Sequence, residues 1–251
     1  MRDGGLQSVE RVSGVLLAFS LAEPVLGVSE IARRLGIPKS AVHRTLTSLT
    51  RSGLVARDAG GARYRLGPRA VEIGMAAMGT ADVRTVALPV MQELSRGSGE
   101  TATLSLLSGD ERVYAAQVES VQDVRMTVEL GRRFPLYAGA SGQAILAALP
   151  AATRERYLAG IQLAPLTGAT ITDRAHLVAA LATARRQGYA ASRGQRDAWA
   201  AAVAAPITVA GRRVVGCLSI CGPLGRFDDA AVRRHGEAVR EGALLVSGEL
   251  A

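Results

Sequence analysis

The apolar positions of the first eighty residues fall into short helical stripes and then switch to alternation. Val9, Val12, Leu16 and Phe19 predict a helix over residues 8–19. Residues 21–27, with Pro24 and Gly27, read as a turn. Ile31, Ala32 and Leu35 share one helical face, with Ser29 as the expected N-cap and Gly36 as the stop. Pro38 suits the first position of the next helix, in which Val42, Leu46 and Leu49 form a stripe at i, i+4, i+7. Residues 54–57 then read as a strand, Asp58-Ala59-Gly60-Gly61 as a hairpin turn and residues 63–67 as the return strand. Pro68 opens a further helix through Met78, with Val71, Ile73, Met75 and Met78 as its apolar positions.

From Thr80 onward the chain becomes richer in Ala and Val. Val83, Val86, Val90, Met91 and Leu94 predict an amphipathic helix ending near Gly97. Residues 101–108 and 112–119 read as a hairpin through Gly109-Asp110, and residues 123–130 as another alternating strand. Helices are predicted over 143–149, 153–159, 173–187 and 228–250. Strands are predicted over 189–192, 201–209 and 213–220, the last two joined through Ala210-Gly211. Helices flanking a mostly antiparallel sheet make this part an α+β domain.

The third helical segment carries the chemistry. Opposite its apolar stripe stand Ser40, His43, Arg44, Thr47 and Arg51, all able to bond to bases or phosphates, and Lys39, the chain's only lysine, opens it. Two helices joined by a tight Gly-containing turn, the second polar and basic, describe a helix-turn-helix that reads DNA. Between Arg33 and Arg69 nine basic residues stand against one acid, Asp58, a net of +8. A basic cluster confined to one segment is what counterion release from a duplex requires. The ribbon that follows, with Arg63 and Tyr64, reads as a wing touching phosphates or the minor groove. An arginine facing a guanine would bond O6 and N7 together, whereas Arg51 and Arg63 read as phosphate contacts.

The remaining composition narrows the class. No run approaches ~18 apolar residues, so no membrane span is expected, and residues 1–10 lack the apolar core of a signal peptide. Cys217 and Cys221, the only cysteines, lie on one face of a predicted strand, too far apart for a disulfide. They read as buried thiols of a reducing cytoplasm, and no metal cluster or cofactor loop is found.

Both halves together resemble the IclR family of bacterial transcription regulators. The first half carries the resemblance through Ser29-Glu30-Ile31-Ala32, Leu35-Gly36-Ile37-Pro38-Lys39-Ser40 and His43-Arg44. The second carries it through the stretch from Pro135 to Ala144, Ala204-Ala205-Pro206, and the strand ending in Gly222-Pro223. The resemblance implies a winged helix-turn-helix (residues 1–67), a linker helix (68–79) and a GAF-like effector-binding domain (80–251). It also implies a homodimer or dimer of dimers on a promoter palindrome of double-stranded DNA, and a small carboxylate or aromatic acid as effector. The family's acidic residue ahead of the Ala-Ala-Pro strand is Gln195 here, and its glycine is Trp199, which would fill the cavity or form a stacking wall.

For the effector, Gly139, Ala140, Ser141 and Gly142 read as a Gly-rich turn just before a helix, whose amides would receive a carboxylate. The resemblance places Ser192 and Ala202 on the far wall. Two alternatives remain: an orphan DNA-binding regulator without effector control, and a serine hydrolase. The hydrolase would rest on Ser141, whose surroundings depart from a nucleophile elbow at Gln143. Its only bases in this half, His176 and His235, read as surface positions of helices.

Overall fold

The structure, a computed structural model, describes residues 4–19, 23–58, 60–78, 83–210 and 213–250. The chain divides into two compact units, Met1–Thr80 and Ala81–Ala251. Of the predicted features, Leu21, Ala59, Thr80, Gly211 and the side chains of Met75 and Met78 lie outside the described residues.

The first unit runs α1 (Gly4–Leu17), β1 (Val25–Gly27), α2 (Val28–Leu35), α3 (Lys39–Arg51), β2 (Val55–Arg57), β3 (Arg63–Leu66) and α4 (Pro68–Met78). Its core is Val15, Leu26, Ile31, Val42, Leu46 and Val55, all essentially inaccessible to solvent. The stripe of α1 is shifted from the predicted one: Val15 is buried and Val9 exposed, so Val12, Val15 and Leu16 face the core. Residues 25–27, read as part of a turn, form β1, an edge strand antiparallel to β3 in a sheet of order β1-β3-β2. The cap of α2 is Gly27, not Ser29: its N–H donates to Glu30 Oε2 at 2.6 Å. Gly36 closes α2 in the left-handed region, and Pro38 stands one position before α3 as its cap.

The second unit runs α5 (Val83–Ser98), β4 (Thr101–Ser108), β5 (Glu111–Val118), β6 (Arg133–Pro135), α6 (Gly139–Ala148), α7 (Ala151–Gly160), α8 (Arg174–Gln187), β7 (Ala190–Arg193), β8 (Ala200–Val209), β9 (Arg213–Pro223) and α9 (Asp229–Glu249). The strands form one antiparallel sheet of order β6-β5-β4-β9-β8-β7. Alternation along them builds a core on each face. Val203, Ala205, Leu218 and Ile220 meet α5 and α9 on one side. Ala204 and Cys217 meet α6, α7 and α8 on the other.

Residues 123–130 do not form the predicted strand. Their backbone bonds to side chains: Thr101 Oγ1 donates to the Met126 carbonyl at 2.6 Å, and Gln117 Oε1 accepts from the Val128 N–H at 2.8 Å. With those groups satisfied off the ladder no strand partner is needed, and β6 at 133–135 takes the edge of β5 instead. The helix predicted from Gln143 begins at Gly139, so the Gly-rich segment is its first turn rather than a loop before it.

Candidate DNA surface and effector cavity

Helix α3 buries Ala41, Val42, Thr45, Leu46 and Leu49. The 3.6-residue period then leaves Lys39, Ser40, His43, Arg44, Thr47 and Arg51 together on the exposed face. Lys39, Arg44 and Arg51 make no ion pair among the described residues. Thr47 spends its proton on the His43 carbonyl at 2.9 Å, so toward a ligand it offers only an acceptor.

The wing departs from expectation at Tyr64. In β3 the side chains alternate, and Tyr64 points inward: it is 3% exposed and packs with Leu46 and Val55 in the core. Period 2 forces the correction, because outward Arg63 and Arg65 leave the position between them facing the helices. Arg63 is exposed but engaged: its Nη2 donates to the Val25 carbonyl at 2.9 Å and to Glu30 Oε2 at 3.1 Å. That pair and the capping bond from Gly27 hold the Glu30 carboxyl below its ordinary range, the backbone bond being the larger cause.

In the second unit, Gly139, Ala140, Ser141, Ser192 and Ala202 meet around one small cavity of ≈ 30 Å³, about one water's share of liquid volume. Helix α6 points its N-terminus into it. The Gly139 N–H donates to Gln195 Oε1 at 3.3 Å and the Ala140 N–H to Ser192 Oγ at 2.9 Å. Gln143 Nε2 donates to the same Gln195 oxygen at 2.7 Å and to the Tyr137 carbonyl at 3.0 Å. Two neutral side-chain oxygens thus sit where the dipole of α6 most favours negative charge. Gly139 has φ +78°, a conformation that suits only glycine there. Gly142, by contrast, does not line the cavity: a Cβ at this position would lie 2.6 Å from the Leu136 carbonyl oxygen, so it serves close packing.

Several lining residues were not singled out from the sequence. Arg112 and Tyr114 enter from β5, Arg196 and Asp197 from the segment after β7, and Ser219 and Cys221 from β9. Arg112 is 1% exposed. Its signal was phase, since it alternates with Tyr114 and Ala116 on the buried face of β5. Gln195, noted as a departure, proves central. Its backbone carbonyl accepts from Thr170 Oγ1 at 2.6 Å, and Thr167 Oγ1 holds the neighbouring Gly194 carbonyl at the same distance.

Trp199 is neither filler nor wall: it is 81% exposed and lies off the cavity lining. Its backbone N–H donates to Asp197 Oδ1 at 3.0 Å, closing a tight turn. His235 is also placed differently from its predicted surface position, 6% exposed and with its ring centre 5.5 Å from that of Phe227, tilted at 52°. No histidine lines the cavity around Ser141, so the Ser–His pair of a serine hydrolase is not assembled there. A larger groove of ≈ 250 Å³ beside α6 is lined mainly by Ala144, Ala147, Ala148 and Ala184, with Arg185 its one charged group.

Comparison with known proteins agrees with both units. Residues 8–59 match the model of the IclR helix-turn-helix domain, and residues 75–248 that of the bacterial transcriptional regulator IclR C-terminal domain. The chain is 36% identical to the HTH-type transcriptional regulator KipR of Bacillus subtilis, over 95% of each chain. It is 33% identical to the HTH-type transcriptional regulator XynR of Escherichia coli, over 98% of this chain and 97% of that one. Among solved structures, a putative IclR regulator from a Silicibacter species superposes with a TM-score of 0.87 at 28% identity, covering 97% and 96% of the two chains. An IclR homologue from Microbacterium hydrocarbonoxydans, solved with 4-hydroxybenzoate, superposes with a TM-score of 0.83 at 30% identity, covering 97% and 98%. These relatives are regulators rather than enzymes. No helix among the described residues is long and apolar enough to cross a membrane. With a helix-turn-helix unit, an α+β unit and both family models matched in order, the chain belongs to the IclR family of bacterial transcriptional regulators.

Proposed function

We propose that the protein is a cytoplasmic, ligand-responsive regulator that binds an operator palindrome as a homodimer or dimer of dimers. Helix α3 enters the major groove, where Lys39, Ser40, His43, Arg44, Thr47 and Arg51 meet bases and phosphates, and Arg63 lies beside the backbone. A small carboxylate, aliphatic or aromatic, binds at the N-terminus of α6. There it replaces Gln195 Oε1 and Ser192 Oγ on the amides of Gly139 and Ala140, beside Ser141 and Ala202. The observation that carries this reading is the pair of α6 amides turned onto displaceable neutral oxygens inside a cavity lined by two arginines. The relative solved with 4-hydroxybenzoate supports the same ligand class.

A second reading rests on the cavity's ≈ 30 Å³: Gln195 is a permanent plug, and the protein binds DNA without effector control. One experiment separates them. Anisotropy is measured on DNA from upstream of the protein's own gene and on a scrambled duplex, at ~150 mM salt, with and without added carboxylates. Binding to the first that is tighter by ~10³-fold or more, and shifted by an acid, supports the full reading. Specific binding that no acid moves supports the plug. Equal, salt-sensitive binding to both duplexes removes the operator reading.

A further inference from the structure

Arg112 is a buried cation without a counter-ion. Its Nη1 donates to Ser105 Oγ at 3.0 Å and its Nη2 to Tyr114 Oη at 3.3 Å, while its Nε has no partner. No carboxylate lies within ion-pair distance of it among the described residues. The guanidinium sits 4.5 Å from the Tyr114 ring centre and 5.1 Å from that of Phe134. The half-buried guanidinium of Arg196 lies over the same two rings, at 5.8 and 5.1 Å. Asp197, the acidic member of the lining, accepts from the Trp199 backbone N–H and pairs with neither arginine. Removing a charge from water is costly unless an opposite charge accompanies it, and aromatic faces offset only part of that cost.

We propose that Arg112 and Arg196 form a second anion subsite, so that the effector is a diacid. This rests on the effector reading above. One carboxylate takes the amides of Gly139 and Ala140. The other takes the free Nε edge of Arg112 and the Arg196 guanidinium, against the rings of Tyr114 and Phe134. A single carboxylate does not serve both places. Ser192, which accepts from the Ala140 amide, stands on β7, and Ser105, which accepts from Arg112, on β4, with β8 and β9 between them. The Gln195 side chain lies at the first place, so a ligand spanning both displaces it.

The test uses the full chain and calorimetric titration with succinate, adipate, suberate and terephthalate. Butyrate, hexanoate, octanoate and benzoate serve as one-acid controls. At least one diacid is expected to bind tenfold or more tightly than its matched mono-acid. Arg112→Met is expected to erase that preference. Arg196→Met, on the half-buried segment, is expected to weaken the same preference without disturbing the buried face. Without ligand, Arg112→Met is expected to melt at or above the wild-type temperature, because an uncompensated charge has gone; a purely structural arginine would give a lower one. Equal binding of mono-acids and diacids, or a preference that survives both substitutions, overturns the diacid and leaves the α6 site standing. Absence of binding by every acid overturns both.

Discussion

Arg63 Nη2 lies 3.1 Å from Glu30 Oε2, tying the wing strand β3 to the first helix of the helix-turn-helix. The same carboxylate caps α2 through the Gly27 N–H. One acidic side chain therefore fixes the start of a helix and holds a wing arginine that would otherwise be free for DNA.

Arg65, two positions on, is exposed and makes no ion pair among the described residues. Arg65→Ala is expected to weaken DNA binding more than Arg63→Ala does. It should also lower the slope of log affinity against log salt by ~0.9, the value of one released counterion. Anisotropy between about 50 and 200 mM salt measures it, and equal slope changes for the two variants would sink the distinction.

Tyr64 is a core residue lodged between two exposed arginines. Tyr64→Phe is expected to leave DNA affinity within about twofold of wild type, whereas Tyr64→Ala should cost about 3–5 kcal/mol of stability in the first unit. Thermal melts and anisotropy on both variants check this. If the Phe variant kept its melting temperature and lost affinity, the phenol would belong to the DNA surface after all.

Burial holds the His235 ring below its ordinary value of about 6.5, with Arg234 adding to the effect. The folded state therefore binds this proton less readily than the unfolded chain. Stability from the neutral ring is present above pH ~6.5 and is lost as pH falls from there toward the lower folded value, by at most about 1.4 kcal/mol per pH unit. Scanning calorimetry of wild type and His235→Gln at several pH values isolates this contribution. Parallel pH profiles would mean that His235 is not its source.

Both thiols are shielded. Burial pushes Cys217 up to about 11 and Cys221 up to about 12, so neither is a thiolate at neutral pH. Ellman's reagent is expected to find no fast-reacting thiol in the native protein and two in guanidinium chloride. A fast thiol in the native protein would show that the wall of the cavity opens to solvent at Cys221.

The parts of this molecule that were legible in its sequence are those where local pattern and tertiary packing agree. The turn between α2 and α3 is one, because Gly36 and Pro38 punctuate two stripes that the core then uses. The parts that were not legible depend on distant partners. β1 has three residues and exists because β3 supplies its hydrogen bonds. Residues 123–130 alternate like a strand, but Thr101 and Gln117 claim their backbone. His235 looks like a surface position until Phe227 packs on it. At the cavity, the Gly-Ala-Ser segment was readable because amides at a helix end carry their own logic. Arg112 was not, because a buried arginine runs against the rule that charges stay outside.

The sheet order has a consequence for how the protein is made. In the first unit every pairing joins segments within the opening third of the chain, so this unit completes its hydrogen bonding while the remainder is still on the ribosome. The second unit waits, because β4, whose Thr101 lies opposite Cys221, has β9 as its inner neighbour. Until β9 emerges, β4 and β8 each present an unpaired edge, and the cavity between α6 and the sheet has no floor. The nascent chain thus completes its helix-turn-helix before its second-unit cavity, and slowing translation ahead of residue 213 would prolong an interval in which the one exists without the other.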